Sequence, residues 1–423
     1  MVRSAAVIFA LTLLCSAGRL SAQTAAAAPL TIERAVELAV ARNERAAAAE
    51  TIVEAAEARL GRARSAFFPQ VDVTGSYRSD TATETRNTLS SAALLTQPIF
   101  DARVFPLLRF ARLERSAARL SADEEKRLLA FDAADAFLIT LSLEQVLRAA
   151  EHRREFARTS LEDARSLFEA GLVSSNDVTR AELEMATAER GVAQASGNVR
   201  SARIQLSTIL NTEIDGALQV PESLLAAAAS TPDVAPSLVT EAQQRRRDIA
   251  AARFRVDALR AFAGEPSRRF IPSVRLSAQT RNINEGPISD RNNDAFVGVT
   301  VNWPVLDAGV RKSEEAERTA IARGAELGLQ LALRNVEQQM RTAGVQLSSE
   351  QAALREAVAA VRAARRNAEE TNELYRQGLA SALELANANQ SLFEAEVAEV
   401  TARYRMAQAY LALREAAGLE PAP

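Results

Sequence analysis

The sequence predicts a mainly α protein with a small β part, built from long coiled-coil helical hairpins and four β-strands per chain. Three observations carry that reading: the chain is internally duplicated, its helical stretches keep a seven-residue apolar period, and four segments of alternating polarity lie beside prolines. At 423 residues the chain could hold two or three ordinary domains. The duplication divides it instead into two like halves and a connector.

The N-terminus reads as a secretory signal over residues 1–22. Arg3 precedes the apolar run Ala5 to Leu14, and a small and polar stretch ends near Ala22, where cleavage is expected. The run is about half of what a membrane-spanning helix needs. Cys15 is the only cysteine, and the large Leu14 before it disfavours lipid attachment, so it reads as an ordinary signal residue. Loss of Arg3 and Arg19 with the signal would take the formal charge from −3 to −5. An acidic balance gives no footprint for nucleic acid. No later stretch is apolar and long enough for a transmembrane helix, so any part that spans lipid has to be a closed β-barrel.

The duplication shows as ordered landmarks. Phe67-Phe68-Pro69 matches Phe270-Ile271-Pro272 at an offset of 203. Gln97-Pro98-Ile99-Phe100-Asp101-Ala102 matches Trp303-Pro304-Val305-Leu306-Asp307-Ala308 at 206. Phe168-Glu169-Ala170-Gly171-Leu172 matches Tyr375-Arg376-Gln377-Gly378-Leu379 at 207. The first repeat is placed at 23–211 with its strand pair within 67–100. The second is placed at 238–418 with its strand pair within 268–305, followed by a tail at 419–423.

Each half runs in the same order. A helix comes first, Ile32 to Ser65 and Leu238 to Ala263, and then two strands joined by a polar loop (Asp80 to Ser90; Asn284 to Asn293). A very long helix follows, Arg103 to Glu169 and Val310 to Arg376. After a glycine turn, a last helix spans Asn176 to Leu210 and Ala382 to Ala417. The segment 212–237, with Pro221, Pro232 and Pro236, reads as a connector with little regular structure.

In the strands, Val71, Val73, Gly75 and Tyr77 alternate with Asp72, Thr74, Ser76 and Arg78. Likewise Val297, Val299, Val301 and Trp303 alternate with Phe296, Gly298, Thr300 and Asn302, whereas the segment before Pro98 is less regular. Outer-membrane strands carry this pattern, although an amphipathic sheet on a soluble core carries it too. Four strands cannot close a barrel with a lumen, and lipid does not tolerate open edges. Several copies must then share one barrel, and three copies give twelve strands. Pro69, Pro98, Pro272 and Pro304 fall at the four barrel–helix junctions, with Asp101 and Asp307 at expected N-caps. Trp303, beside Pro304, reads as a membrane-interface aromatic.

The long helices would each measure roughly 100 Å at about 1.5 Å per residue, a length that implies coiled-coil packing. Val178, Ala181, Met185, Ala188, Val192, Ala195, Val199, Ala202, Leu206 and Ile209 follow a 3,4 spacing. Their repeat partners do the same from Leu385 to Ala416, interrupted only by Glu399, and Leu333, Met340, Leu347, Leu354, Val361, Ala368 and Tyr375 recur every seventh residue. From the helices alone, a rod-like coiled coil without a pore reads equally well.

These residues resemble the TolC family of outer-membrane efflux and secretion ducts over nearly the whole mature chain. The specific matches are Gly171-Leu172-Val173-Ser174-Ser175-Asn176-Asp177-Val178, Asn302-Trp303-Pro304-Val305-Leu306-Asp307-Ala308-Gly309 and Tyr375-Arg376-Gln377-Gly378-Leu379. The resemblance implies a homotrimer in which a 12-stranded β-barrel stands on an α-helical periplasmic tunnel. It implies a passive duct that exports substrates through the outer membrane within a tripartite efflux or type I secretion system. The implied partners are outer-membrane lipid, a periplasmic adaptor and an inner-membrane pump. The turns at Gly171, Leu172, Gly378 and Leu379 would form the periplasmic tip and dock the adaptor. Asp177 and Glu384 match acidic positions near the entrance, where three copies of a carboxylate would favour cations. Both also suit the start of a helix as ordinary solvated acids. Asn387, one turn on, is neutral where a second acidic ring would fall, and Ala380 carries no charge where a gate-locking arginine would sit.

No catalytic constellation stands out, and no cofactor or metal is expected. His152 is the only histidine, and with no cysteine and no second histidine near it a metal site is not expected. The rival function is a non-conducting structural or adaptor protein of the cell envelope. Adaptors usually combine one helical hairpin with small β domains, whereas this chain reads as two full hairpins.

Overall fold

A computed structural model describes residues 29–80, 86–231, 236–285 and 290–421. The signal segment with Cys15, the tips of both strand-connecting loops and Pro232 lie outside the described residues.

The first repeat contains α1 (Ile32–Arg42), α2 (Glu44–Ser65), β1 (Gln70–Asp80), β2 (Arg86–Phe100), α3 (Val104–Glu169) and α4 (Ser175–Leu210). Next come α5 (Glu222–Ser230), α6 (Pro236–Arg245), α7 (Arg247–Ala263) and the one-turn α8 (Glu265–Arg268). The chain then forms β3 (Ser273–Glu285), β4 (Asp290–Asn302), α9 (Val310–Arg376) and α10 (Ala382–Ala416). No helix among the described residues is long and apolar enough to cross a membrane.

Three expectations need correction. The first helix of each repeat is broken, at Asn43 and at Arg246, where the backbone turns extended. The breaks are imposed by docking. Asn43 Nδ2 donates to the Ile209 carbonyl at 2.9 Å, and Asn211 Nδ2 donates to the Arg42 carbonyl at 3.2 Å, so the end of α4 is spliced onto the start of α2. In the second repeat the Arg246 guanidinium donates to the Ala416 carbonyl at 3.3 Å, splicing α10 onto α7. Asn211 and Gly418 close the two splices in left-handed conformation, at φ 47° and 70°. Each spliced pair thus runs alongside a single long helix.

The connector holds the helix α5, which buries Leu224, Leu225 and Ala228. Pro221 ends the preceding segment, and the alanine-rich run behind it favours helix. Asp101 and Asp307 are not the N-cap residues, which are Arg103 and Gly309. Each aspartate stands two residues earlier and reaches forward. Asp307 Oδ2 accepts from the Arg311 backbone N–H at 3.0 Å and from its Nε at 2.7 Å, and Asp101 pairs with Arg103 at 2.5 Å.

The heptad rows pack as expected. Val336, Met340, Leu347, Val361, Ala368 and Tyr375 are buried along α9, and Leu385, Ala388, Leu392, Ala402, Met406, Ala409 and Leu413 along α10. The largest core lies at mid-length, where α1, α5 and α6 collar the long helices. Phe137, Leu138, Leu141, Leu206, Leu210, Val336 and Met340 meet there. Arg127 is buried beside it, bound to Glu124 at 2.6 Å and donating to the Leu419 carbonyl at 2.9 Å.

The four strands form one antiparallel sheet in the order β1-β2-β3-β4. The two repeats are therefore joined through β2 and β3. The register fixes the faces. Val71, Leu95, Ala278 and Val297 stand in one cross-strand row, and Val73, Ala93, Thr280 and Ala295 in the next. The opposite face carries Asp72, Thr74, Ser76, Gln279, Arg281 and Asp294, with Arg281 and Asp294 paired at 2.8 Å. Neither face is covered within the protomer, and Val73, Val297 and Val299 are 77%, 75% and 66% exposed.

Candidate functional site: the tip, the junctions and the open edges

The two hairpins α3–α4 and α9–α10 end at the same pole. At each turn a glycine in left-handed conformation closes the long helix, Gly171 at φ 73° and Gly378 at φ 72°. The backbone N–H of Leu172 reaches the Leu167 carbonyl at 2.9 Å, and that of Leu379 reaches Leu374 at 2.9 Å. This six-to-one closure is what glycine after a helix permits. The next residues, Leu172 and Leu379, stand 73% and 72% exposed, so each turn presents a bare leucine.

The outgoing helices start with capping boxes. The Asp177 carboxylate accepts from the Ser174 backbone N–H at 3.0 Å, and the Glu384 carboxylate accepts from that of Ser381 at 2.7 Å. The Ser381 backbone N–H holds the Glu384 carboxyl below its ordinary range. Both residues are therefore held at fixed positions on the tip surface, and both have a structural duty there. The pattern Ser-x-x-Asp/Glu before an apolar run signals this in sequence. Asn387 lies one turn further along α10 and is exposed.

Between the hairpins, sequence reasoning missed one tie. Arg376 Nε lies 3.3 Å from Asp163 Oδ2, linking the end of α9 to the end of α3. Further up, Arg153 binds Glu184 at 2.8 Å and stacks 5.0 Å over Phe393, while His152 stands 3.9 Å from Glu396. Arg376 and Asp163 are 213 residues apart, and only the folded pairing of the hairpins brings them together.

At the other pole, the junction prolines stand beside two matching latches. Gln97 Nε2 donates to the Phe67 carbonyl at 3.0 Å, and Trp303 Nε1 donates to the Phe270 carbonyl at 2.9 Å. Each carbonyl lies two residues before a junction proline, Pro69 or Pro272, and each donor lies just before Pro98 or Pro304. Trp303 belongs to the apolar face of the sheet and remains 53% exposed, packed edge-on against Phe270 with centroids 6.2 Å apart.

The lateral edges are open in both layers on the same sides. In the sheet, β1 and β4 each lack one neighbour among the described residues. Below it, helices pack in the order α2, α3, α7, α9, and nearer the tip in the order α4, α3, α10, α9. First-repeat elements thus form one edge and second-repeat elements the other, from sheet to tip. Apolar side chains stand bare along both, including Ile52, Leu183 and Ile204 on one and Leu327, Leu331 and Val345 on the other.

Comparison with known proteins agrees with this geometry. The Outer membrane efflux protein family profile matches twice, at residues 35–212 and 238–419, once per repeat. The Outer membrane protein TolC of Vibrio cholerae is 25% identical over 366 residues, which cover 84% of this chain and 83% of that protein. Two crystal structures share the fold. CusC superposes with a TM-score of 0.79 at 17% identity, covering 92% of each chain. VceC of Vibrio cholerae gives 0.76 at 17% identity, covering 92% of this chain and 96% of its own.

Proposed function

This chain belongs to the outer membrane efflux protein family, and from that premise we propose that it is the outer-membrane channel-tunnel of a tripartite export system. One observation carries the reading: both lateral edges are open at every level, on matching sides. An edge that is unlike its opposite joins copies head to tail and generates a ring when the rotation closes. A β1 edge can take the β4 edge of the next copy, which removes every unpaired strand from lipid. The resemblance to TolC sets the number at three, for a barrel of twelve strands over twelve helical columns.

In that ring the apolar face with Val73, Val297 and Val299 meets lipid, and the face with Asp72, Arg281 and Asp294 lines water. Trp303 lies at the boundary. The bare leucines Leu172 and Leu379 are the contacts for a periplasmic adaptor, which couples the duct to an inner-membrane pump. The duct itself is passive. Asp177 and Glu384, each present three times, give the entrance a cation preference, and Asn387 leaves it weaker than two full acidic rings would.

The test is purification in detergent, mass determination, and single-channel recording in planar bilayers. A trimer that conducts supports the reading, and a monomer or a non-conducting rod overturns it. Divalent cations are expected to reduce the conductance, and less so in Asp177→Asn and Glu384→Gln. These variants keep an oxygen acceptor for the capping box while removing the charge. Unchanged sensitivity to divalent cations would remove the entrance role.

A further inference from the structure

The open helical edges carry charges that find no partner within the protomer. Among them are Arg62 and Glu54 on α2, and Glu317 and Arg323 on α9. All four are exposed, and none forms an ion pair among the described residues. We propose that the α9 edge of one copy docks on the α2 edge of a second copy in a single register, set by the pairs Arg62–Glu317 and Glu54–Arg323. The inference rests on the ring proposed above and adds its alignment.

Height and handedness both support the pairs. The buried stripe of α2, through Ala49, Val53, Ala56 and Leu60, faces α3. At about 100° per residue, Arg62 stands roughly 150° from that stripe in one sense and Glu54 roughly 130° in the other, so they flank the free edge. On α9 the stripe through Ala322, Val336 and Met340 faces inward. Glu317 and Arg323 stand roughly 125° and 115° from it, again on opposite sides. Since α2 runs toward the sheet and α9 away from it, the two edges meet antiparallel. That puts Arg62 on the same side as Glu317, and Glu54 on the same side as Arg323.

Measured from the sheet-proximal helix ends at about 1.5 Å per residue, Arg62 lies roughly 4 Å down α2 and Glu317 roughly 10 Å down α9. Glu54 lies roughly 16 Å down and Arg323 roughly 20 Å. One stagger of a few ångströms therefore satisfies both pairs, within reach of these long side chains. The same stagger sets Ala58 against Ala320 and Thr51 against Leu327, two contacts one heptad apart. The small residues at the first contact let the backbones approach closely. The opposite register, one heptad away, sets Arg62 near Arg323, where like charges oppose it.

The experiment is cysteine cross-linking of the purified full chain, whose only native cysteine is Cys15. Ala58→Cys with Ala320→Cys is expected to give covalent dimers and trimers on oxidation. Within one protomer α3 and α7 separate the two helices, so any link joins two copies. Ala58→Cys with Leu327→Cys, or with Ser313→Cys, should link at least tenfold more slowly. A second arm reverses charge. Arg62→Glu or Glu317→Arg alone should weaken the trimer by about tenfold across its three interfaces, and the combined variant should restore it. If the wild type is trimeric but the Leu327→Cys or Ser313→Cys pair links faster than the Ala320→Cys pair, the register is overturned and the ring stands. Failure of the combined variant to recover also overturns it. A monomeric wild type instead removes the ring itself.

Discussion

Arg127 offers the sharpest test of how the mid-length core is held. Its guanidinium binds Glu124 through two contacts, at 2.6 and 2.9 Å, donates to the Leu419 carbonyl at 2.9 Å, and lies 5.2 Å over the Phe131 ring. The side chains of the pair are only 2% and 9% exposed. Arg127→Ala would leave the Glu124 carboxylate buried without its cation, a loss of about 3–5 kcal/mol for broken buried pairs. It also deprives the Leu419 carbonyl of a donor, about 1 kcal/mol more. The double variant Arg127→Met with Glu124→Leu keeps the volume and strands no charge, and should cost only about 1–2 kcal/mol, mostly the lost tail contact. The double variant should therefore be roughly 3 kcal/mol more stable than Arg127→Ala alone. Guanidinium titration of helical circular dichroism reads it. Equal midpoints for the single and double variants would refute the argument, because the penalty would then not come from a stranded charge.

Burial pushes the Asp135 carboxyl up, opposed by the Gln408 amide that donates to it at 2.6 Å. A raised folded-state value means the folded chain binds a proton that the unfolded chain has released. Its burden on stability is therefore greatest at neutral pH and fades as pH falls into the ordinary carboxylate range. Asp135→Asn should raise the melting temperature at pH 7 to 8 and lose that advantage near pH 4. Gly418 combines φ of 70° with a splice in which an added Cβ would meet Arg246 Cγ at 2.9 Å and its backbone at 3.3 Å. Gly418→Ala should cost about 2 kcal/mol in guanidinium unfolding, whereas Asn211→Gly at the equivalent position tolerates the left-handed backbone and should cost only about 1 kcal/mol, for the lost hydrogen bond to the Arg42 carbonyl. Asp163→Ala removes the acceptor of the Arg376 tie, and should raise single-channel conductance in planar bilayers with no change in trimer mass. Unchanged conductance would mean that the tie does not hold the tip.

The repeats, the helix lengths and the heptad rows were legible in the sequence because each is a local period or a long-range echo. The faces of β2 were not. Ala92, Ala93, Leu94 and Leu95 are apolar on both sides, and only pairing with β1 and β3 assigns them. The breaks at Asn43 and Arg246 were hidden because the apolar spacing continues through them, and the reason for each break is a helix end roughly 170 residues away. At the tip, Asp177 and Glu384 were found by resemblance. Their capping role was written in Ser174 and Ser381, three residues upstream. The Arg376–Asp163 tie left no local mark, since among the described residues neither forms an ion pair within its own hairpin.

The joining of the two repeats through β2 and β3 has a consequence for biogenesis. Paired residues in that seam are separated by 174 to 197 positions, from Phe100↔Val274 to Thr88↔Glu285. Until the second half has crossed the inner membrane, β1 and β2 can form only a two-stranded ribbon, which is marginal in water. Closure of so long a loop is slow. Until β3 arrives, the apolar side chains of that ribbon, Val71, Val73 and Leu95 among them, have no neighbouring strand from the second repeat.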